Sequence, residues 1–146
     1  MGYTTAENAL KTLIIAIDGY SADNVSISDY RILAKGITKA VVLEPASFDR
    51  GRKSTEYYST LWRININLFV PFGGEMSTVA ANIRTYRQEL IDQLDKYPTL
   101  NGASNITISL LAGGGEPEIW NSNRQYIWRQ VLVYEARETL IKTYSE

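Results

Sequence analysis

The segment from Leu61 to Phe72, LWRININLFVPF, constrains the fold more than any other part of the chain. Its even-numbered positions are all apolar, whereas its odd-numbered positions include Arg63, Asn65 and Asn67. Alternation with a period of two predicts a β-strand with one face on a core and the other in a polar environment. At about 3.4 Å per residue such a strand spans roughly 40 Å, more than twice the usual length. We therefore expect a sheet that projects beyond the body of its domain.

Periodicity elsewhere in the chain predicts two helices and three further strands. Apolar residues at i, i+3, i+4 and i+7 indicate a helix over 4–17, which Gly19 ends, and a second helix from 77 or 78 to about 96. The predicted strands cover 39–44, 58–72, 106–111 and 126–139. The order α-β-β-α-β-β predicts an α+β fold with a mainly antiparallel four-stranded sheet and two main helices packed on one face. Within it, the stripe from Trp62 to Val70 is expected to face both helices.

The length of 146 residues predicts a single domain over 1–146 with an exposed loop at 46–58. Pro45 ends the first strand in this prediction, and the segment after it has five charged residues and no sustained period. Loops of this length are uncommon in compact domains unless they bind something or are disordered. The apolar run 13–17 is too short to span a bilayer, so we expect a soluble protein.

Composition argues against most kinds of catalysis. The chain has no Cys and no His, which excludes disulfides and thiolate chemistry and removes the commonest general base and transition-metal ligand. We therefore expect no enzyme activity and no cofactor or metal. The net charge of −1 gives no general attraction to nucleic acid or an anionic membrane. Two carboxylate pairs could support acid–base chemistry or a hard metal ion, but structural roles are favoured for both: Glu116 with Glu118, and Asp92 with Asp95.

Cations and aromatic residues alternate only in the segment 50–58, which makes it the best candidate for a binding surface. Two acids, Asp49 and Glu56, reduce its net charge to about +1. Three interpretations stay open: a solvated loop, a protein interface and a contact with a nucleic-acid backbone. The candidate interface residues are Arg50, Arg52, Lys53, Tyr57 and Tyr58, with Trp120 as a further anchor.

The order of the segments and the residue types within them also resemble those of a known family. An amphipathic N-terminal helix is followed by AVVLEP, a charged loop, W-x-I-x-I-x-L, a GG pair, RTYRQELIDQLDKYPTL, a glycine-rich loop and a terminal W-x-x-x-L-V-Y-E strand. Over nearly its whole length the chain resembles the tail terminator (tail completion) proteins of long-tailed bacteriophages and the closely similar head-tail joining minor proteins. This family has no sharp signature motif, and no catalytic residues come with it.

The resemblance implies a structural virion protein that forms a homo-oligomeric ring, most often a hexamer. Such a ring caps the tail tube at the head-proximal end of the tail, joins it to the head connector or a neck protein, and lets DNA pass through its lumen without specific binding. Assembly would take place in the host cytoplasm, with no membrane and no small-molecule substrate. The alternative is a small intracellular α+β binding module that contacts nucleic acid or protein through 50–58, and a cofactor-free hydrolase that uses carboxylates alone is a third hypothesis.

Overall fold

A computed structural model describes residues 3–34, 39–52, 57–71, 76–103, 106–122 and 125–141. This part of the chain contains two α-helices, α1 (Tyr3–Ile15) and α2 (Met76–Asp95), and a 3₁₀ helix (Tyr30–Ala34). Its strands are β1 (Val25–Ile27), β2 (Ala40–Arg52), β3 (Tyr57–Pro71), β4 (Ile106–Gly114), β5 (Glu118–Ser122) and β6 (Gln125–Ile141).

All the described strands belong to one sheet with the order β1-β2-β3-β6-β4, and β5 also pairs with β6. The β1–β2 pair is parallel and every other described pair is antiparallel. The predicted α+β class is confirmed, but the prediction of four strands is wrong, because β1 and β5 are additional. Both are short, and a strand of three to five residues is too brief to show a convincing period.

The main core lies between the sheet and the two helices. Ile66 of β3 is fully buried and faces Leu43 of β2 on one side and Leu132 of β6 on the other. The same cluster contains the helix stripes predicted from periodicity, namely Leu10, Leu13 and Ile14 of α1 and Ile83, Leu90 and Leu94 of α2. Trp62 departs from the prediction, because it is only partly buried and lies beyond the end of this cluster.

The opposite face of the sheet is partly buried, although the alternation of residues in β3 predicted a polar environment there. Phe69 is buried there with Ile32 and Leu33 of the 3₁₀ helix, in a second, smaller cluster. Asn67 is also buried, and its side-chain amide donates a hydrogen bond of 3.1 Å to the backbone oxygen of Val42. The 3₁₀ helix covers this end of the sheet, and a buried amide is tolerated because it is hydrogen-bonded.

Lys39, next to the start of β2, joins the turn after α1 to helix α2 through its buried cation. Its Nζ donates to the backbone oxygen of Asp18 and to Glu89 Oε2, each at 3.1 Å, and lies 4.2 Å from the centre of the Tyr20 ring and 4.6 Å from that of Tyr86. Burial, with a smaller contribution from the Glu89 charge, raises the pKa of Tyr20 far above its ordinary value. The prediction that Gly19 ends the first helix is wrong, because α1 ends at Ile15 and Gly19 lies in the turn that follows it. Gly19 does have a φ of 89°, and an added Cβ would lie 2.9 Å from Lys39 Cε.

The predicted loop at 46–58 is wrong over most of its length. Strand β2 continues through Pro45 to Arg52, β3 begins at Tyr57, and only 53–56 lie outside the described residues. The register shifts between Pro45 and Phe48, as at a β-bulge. Strand β1 pairs with β2 only as far as Leu43, so Pro45 stands on an open edge where its missing N–H breaks no ladder hydrogen bond.

Candidate functional site

Three strands form what we call the extension: residues 46–52 of β2, 57–63 of β3 and 135–141 of β6. Residues 106–110 of β4 flank its base by pairing with 135–138 of β6. Its pairing is regular, with Phe48 opposite Trp62, Arg52 opposite Tyr58, and Tyr58 opposite Leu140. All its β2 residues are exposed. Among the extension's described side chains, only Ala136 at its base belongs to the core.

The aromatic face of the extension carries Phe48, Arg50, Arg52, Tyr58 and Trp62, and it continues the sheet face that α1 and α2 cover further along. Phe48 is 55% exposed, and its ring centre lies 5.4 Å from that of Trp62. Both guanidinium groups lie over the Tyr58 ring, Arg50 at 5.1 Å and Arg52 at 4.9 Å, and Arg52 also donates a 2.6 Å hydrogen bond to the Tyr58 hydroxyl. Cations stacked on aromatic rings are typical of surfaces that bind proteins or polyanions.

On the same face, the Trp62 indole N–H donates to Glu138 Oε1 at 3.3 Å. Glu138 is buried, as is Thr60 at the neighbouring position of β3. The hydrogen bond from Trp62 gives the buried carboxylate of Glu138 a partner, which lowers the cost of burying it.

The other side, which we call the ion-pair face, is organised around Arg63. Its guanidinium contacts Asp49 at 2.7 Å and Glu135 at 3.1 Å, and it donates to Ser47 Oγ at 3.2 Å. The hydrogen bond with Asp49 raises the pKa of Arg63 above its ordinary value. This network links all three strands of the extension. Side-chain contacts therefore hold β2 in place, in addition to its backbone hydrogen bonds with β3.

Arg50 and Arg52 differ from Arg63 in their charge environment. Neither forms an ion pair with a carboxylate within the described ranges, whereas Arg63 has two. Their guanidinium groups therefore keep donors directed at solvent on an exposed strand. Such groups can donate hydrogen bonds to a carboxylate or phosphate, or to the polar rim of a neighbouring protein.

The structure brings together only some of the predicted interface residues. Arg50, Arg52 and Tyr58 share the aromatic face, Lys53 lies outside the described residues, and only the backbone of Tyr57 is described. Trp120 belongs to β5, where its backbone pairs with Ile127, and the described structure does not include its side chain. From Ile127 to the extension is about 27 Å along β6, at about 3.4 Å per residue, so Trp120 is not part of this site.

Sequence reasoning missed Phe48, the Trp62–Glu138 pair and Arg137, which donates to Ser59 Oγ at 2.7 Å. One available signal was the spacing of Phe48, Arg50 and Arg52 at i, i+2 and i+4, which fits a strand with one functional face. Pro45 and Gly51 concealed it, because both residue types are depleted in strands.

Two of the other candidate carboxylates have local partners. Glu118 is paired with Arg129, and the exposed Asp92 accepts a hydrogen bond of 2.8 Å from Gln88 one helical turn away. In the ranges that the structure describes, no three His, Cys, Asp or Glu residues lie close enough together to hold a metal ion. Among those same ranges, neither helix has the length and apolar character needed to cross a membrane.

Comparison with known proteins adds little to this geometry. No protein-family model matches the chain. No curated protein matches it either. A solved structure of a protein without a functional name aligns with 98% of this chain and 94% of its own, at 14% identity and a TM-score of 0.38. Similarity at that level supports no conclusion about what the chain does.

Proposed function

We propose that this chain is a structural subunit of a long-tailed bacteriophage virion: a tail terminator that forms a homo-oligomeric, six-membered ring, caps the tail tube and joins it to the head connector. The extension is the observation that carries this proposal. It contributes one residue to the described core, yet its β2 segment exposes an aromatic ring and two arginines that form no ion pair within the described ranges. Such a surface suits an interface better than it suits the stability of one subunit.

The two edges of the sheet at the extension support a ring in particular. Beyond Leu43 the outer edge of β2 has no strand neighbour in the described chain, and the opposite edge is β4. Both edges carry exposed apolar side chains: Phe48 on β2, and Ile108 and Leu110 on β4, which are 52% and 47% exposed. Open edges are templates for pairing with another chain. Pairing the β2 edge of one copy with the β4 edge of the next is a heterologous contact, and such contacts generate rings when the rotation closes.

A genetic experiment tests the proposal in the virus. Removing the gene should leave heads and tails unjoined, with tails of irregular length, in negative-stain micrographs of the lysate. Supplying the wild-type chain should restore joined particles. Normal numbers of joined particles with regular tails in the absence of the gene would refute a tail terminator.

Substitutions then test the extension itself. The triple change Arg50→Ser, Arg52→Ser and Lys53→Ser should fail to restore joining, although exposed charges contribute little to folding and the urea midpoint should stay nearly unchanged. The matched control is Lys11→Ser, Arg31→Ser and Lys96→Ser, which removes the same charge elsewhere and should restore joining fully.

The alternative of a nucleic-acid-binding module predicts a different result. Fluorescence anisotropy with a duplex DNA probe at moderate salt should show negligible binding by the wild-type chain if it is a ring subunit. Tight binding that the Arg50, Arg52 and Lys53 triple abolishes would favour the alternative, since phosphate contacts carry most non-specific affinity.

A further inference from the structure

A second surface, at the other end of the sheet, has the features of a binding groove. The groove lies between α2 and the linker that joins β4 to β5, and it encloses about 460 Å³. That volume falls within the range of about 300–1,000 Å³ typical of ligand pockets. Its lining residues are Ala80, Ile83, Arg84, Arg87, Glu116, Pro117 and Trp128.

One face of α2 forms a wall of the groove that carries both apolar and cationic side chains. Ala80, Ile83, Arg84 and Arg87 follow the i, i+3, i+4, i+7 pattern, so they lie along one stripe of the helix. Ile83 is buried at the floor, whereas Arg84 is exposed and Arg87 is partly exposed. Neither arginine forms an ion pair with a carboxylate among the residues that the structure describes.

The opposite wall is the β4–β5 linker, and its position is fixed by contacts with β6. Gly115 donates its backbone N–H to the Val131 oxygen at 3.0 Å, and its own oxygen accepts from the buried side-chain amide of Gln130. Gly114 approaches so closely that an added Cβ would lie 2.7 Å from the Val131 oxygen. The groove is therefore formed before any ligand arrives, which lowers the entropic cost of binding.

We propose that this groove binds an acidic segment of a partner protein. Arg84 and Arg87 would hold its carboxylates in forked, charge-assisted hydrogen bonds, and an apolar side chain of the segment would pack against Ile83, Pro117 and Trp128. Glu116 at the rim leaves the groove with a net charge of about +1. This charge complements a carboxylate, and the apolar floor offers a peptide side chain a contact that a phosphate backbone would not use.

The proposal does not depend on ring formation, and the test keeps the two apart. The full-length ¹⁵N-labelled chain is titrated with the peptide acetyl-Asp-Leu-Glu-Leu-amide, and two-dimensional NMR follows the side-chain N–H signals of Arg84, Arg87 and Trp128. Saturable shifts of these three signals are expected. The peptide acetyl-Lys-Leu-Lys-Leu-amide should shift none of them.

The double change Arg84→Ser and Arg87→Ser should weaken binding by roughly tenfold or more, because it removes both guanidinium groups that donate to the carboxylates. The matched control Lys11→Ser and Lys96→Ser removes the same charge away from the groove and should bind the acidic peptide as wild type does. Absence of a saturable shift would overturn the proposal, as would equal binding by the Arg84 and Arg87 variant. Shifts produced only by inorganic phosphate or a single-stranded DNA oligomer would also overturn it, in favour of a phosphate site.

Discussion

Replacing Ile66 by Ala tests the assignment of the core face directly. Ile66 is fully buried at the centre of the sheet, between Leu43 and Leu132 on the flanking strands. The change removes roughly three CH₂ equivalents, which is about 2.4 kcal/mol of transfer free energy. The surrounding strands are held by their ladders and cannot close the space fully, so the residual cavity should bring the total loss to about 3–4 kcal/mol. Urea unfolding followed by far-UV circular dichroism measures this loss as a lower midpoint at an unchanged slope.

Phe48→Ala is the matched control, because it removes a larger apolar side chain from the exposed β2 edge. Its ring is 55% exposed and contacts Trp62, so we expect a loss of less than about 1 kcal/mol. A larger loss for Phe48→Ala than for Ile66→Ala would show that the extension, and not the helix-covered face, holds the fold together. An unchanged midpoint for Ile66→Ala would refute the core assignment.

Three further changes probe features that the fold depends on. Lys39→Met should lower the free energy of unfolding by about 1–3 kcal/mol, measured in urea, because it removes the ammonium that joins Asp18, Glu89 and two tyrosine rings. Gly114→Ala should cost about 1–3 kcal/mol in the same assay, because its Cβ would overlap the Val131 oxygen. Burial raises the pKa of Glu7 above its ordinary value of 4.5, so the folded protein binds this proton more tightly than the unfolded chain does. The folded state therefore loses stability as the pH rises from 4.5 through the raised pKa. Glu7→Gln should therefore be more stable than wild type at pH 7 and show no advantage at pH 3.5; an equal advantage at both would contradict this account.

Long periodic segments were predicted well from the sequence. Strand β3 and helix α2 lie within two residues of their expected bounds, because a stripe repeated over four or more turns or alternations fixes both type and extent. Strand β2 was predicted only as far as Glu44. Its outer half is exposed and does not contact the core, so its residues show no apolar alternation. Pro45 is compatible with a strand at the edge of a sheet.

The candidate sites were harder to predict for a different physical reason. Arg50, Arg52 and Tyr58 are close in sequence, and their composition alone indicated a binding surface. Phe48 and Trp62 come together only through the register of β2 and β3, and Arg84 meets Pro117 only because β6 holds the linker in place. Contacts between distant segments leave no local pattern, so they appear only when the strand order is known.

The extension combines two properties that are usually opposed: it lacks an apolar core of its own, and its three strands nevertheless pair regularly within a single subunit. Isolated two-stranded hairpins are marginal in water, whereas three strands with side-chain contacts can persist. Here β3 is paired on both sides, Arg63 bridges to Asp49 and Glu135, and Phe48 packs on Trp62. A preformed edge of this kind loses little conformational entropy when a neighbour pairs with it, so more of the contact energy remains for association. Because the residues that hold the extension differ from those that hold the core, substitutions on its aromatic face can change assembly while the subunit still folds.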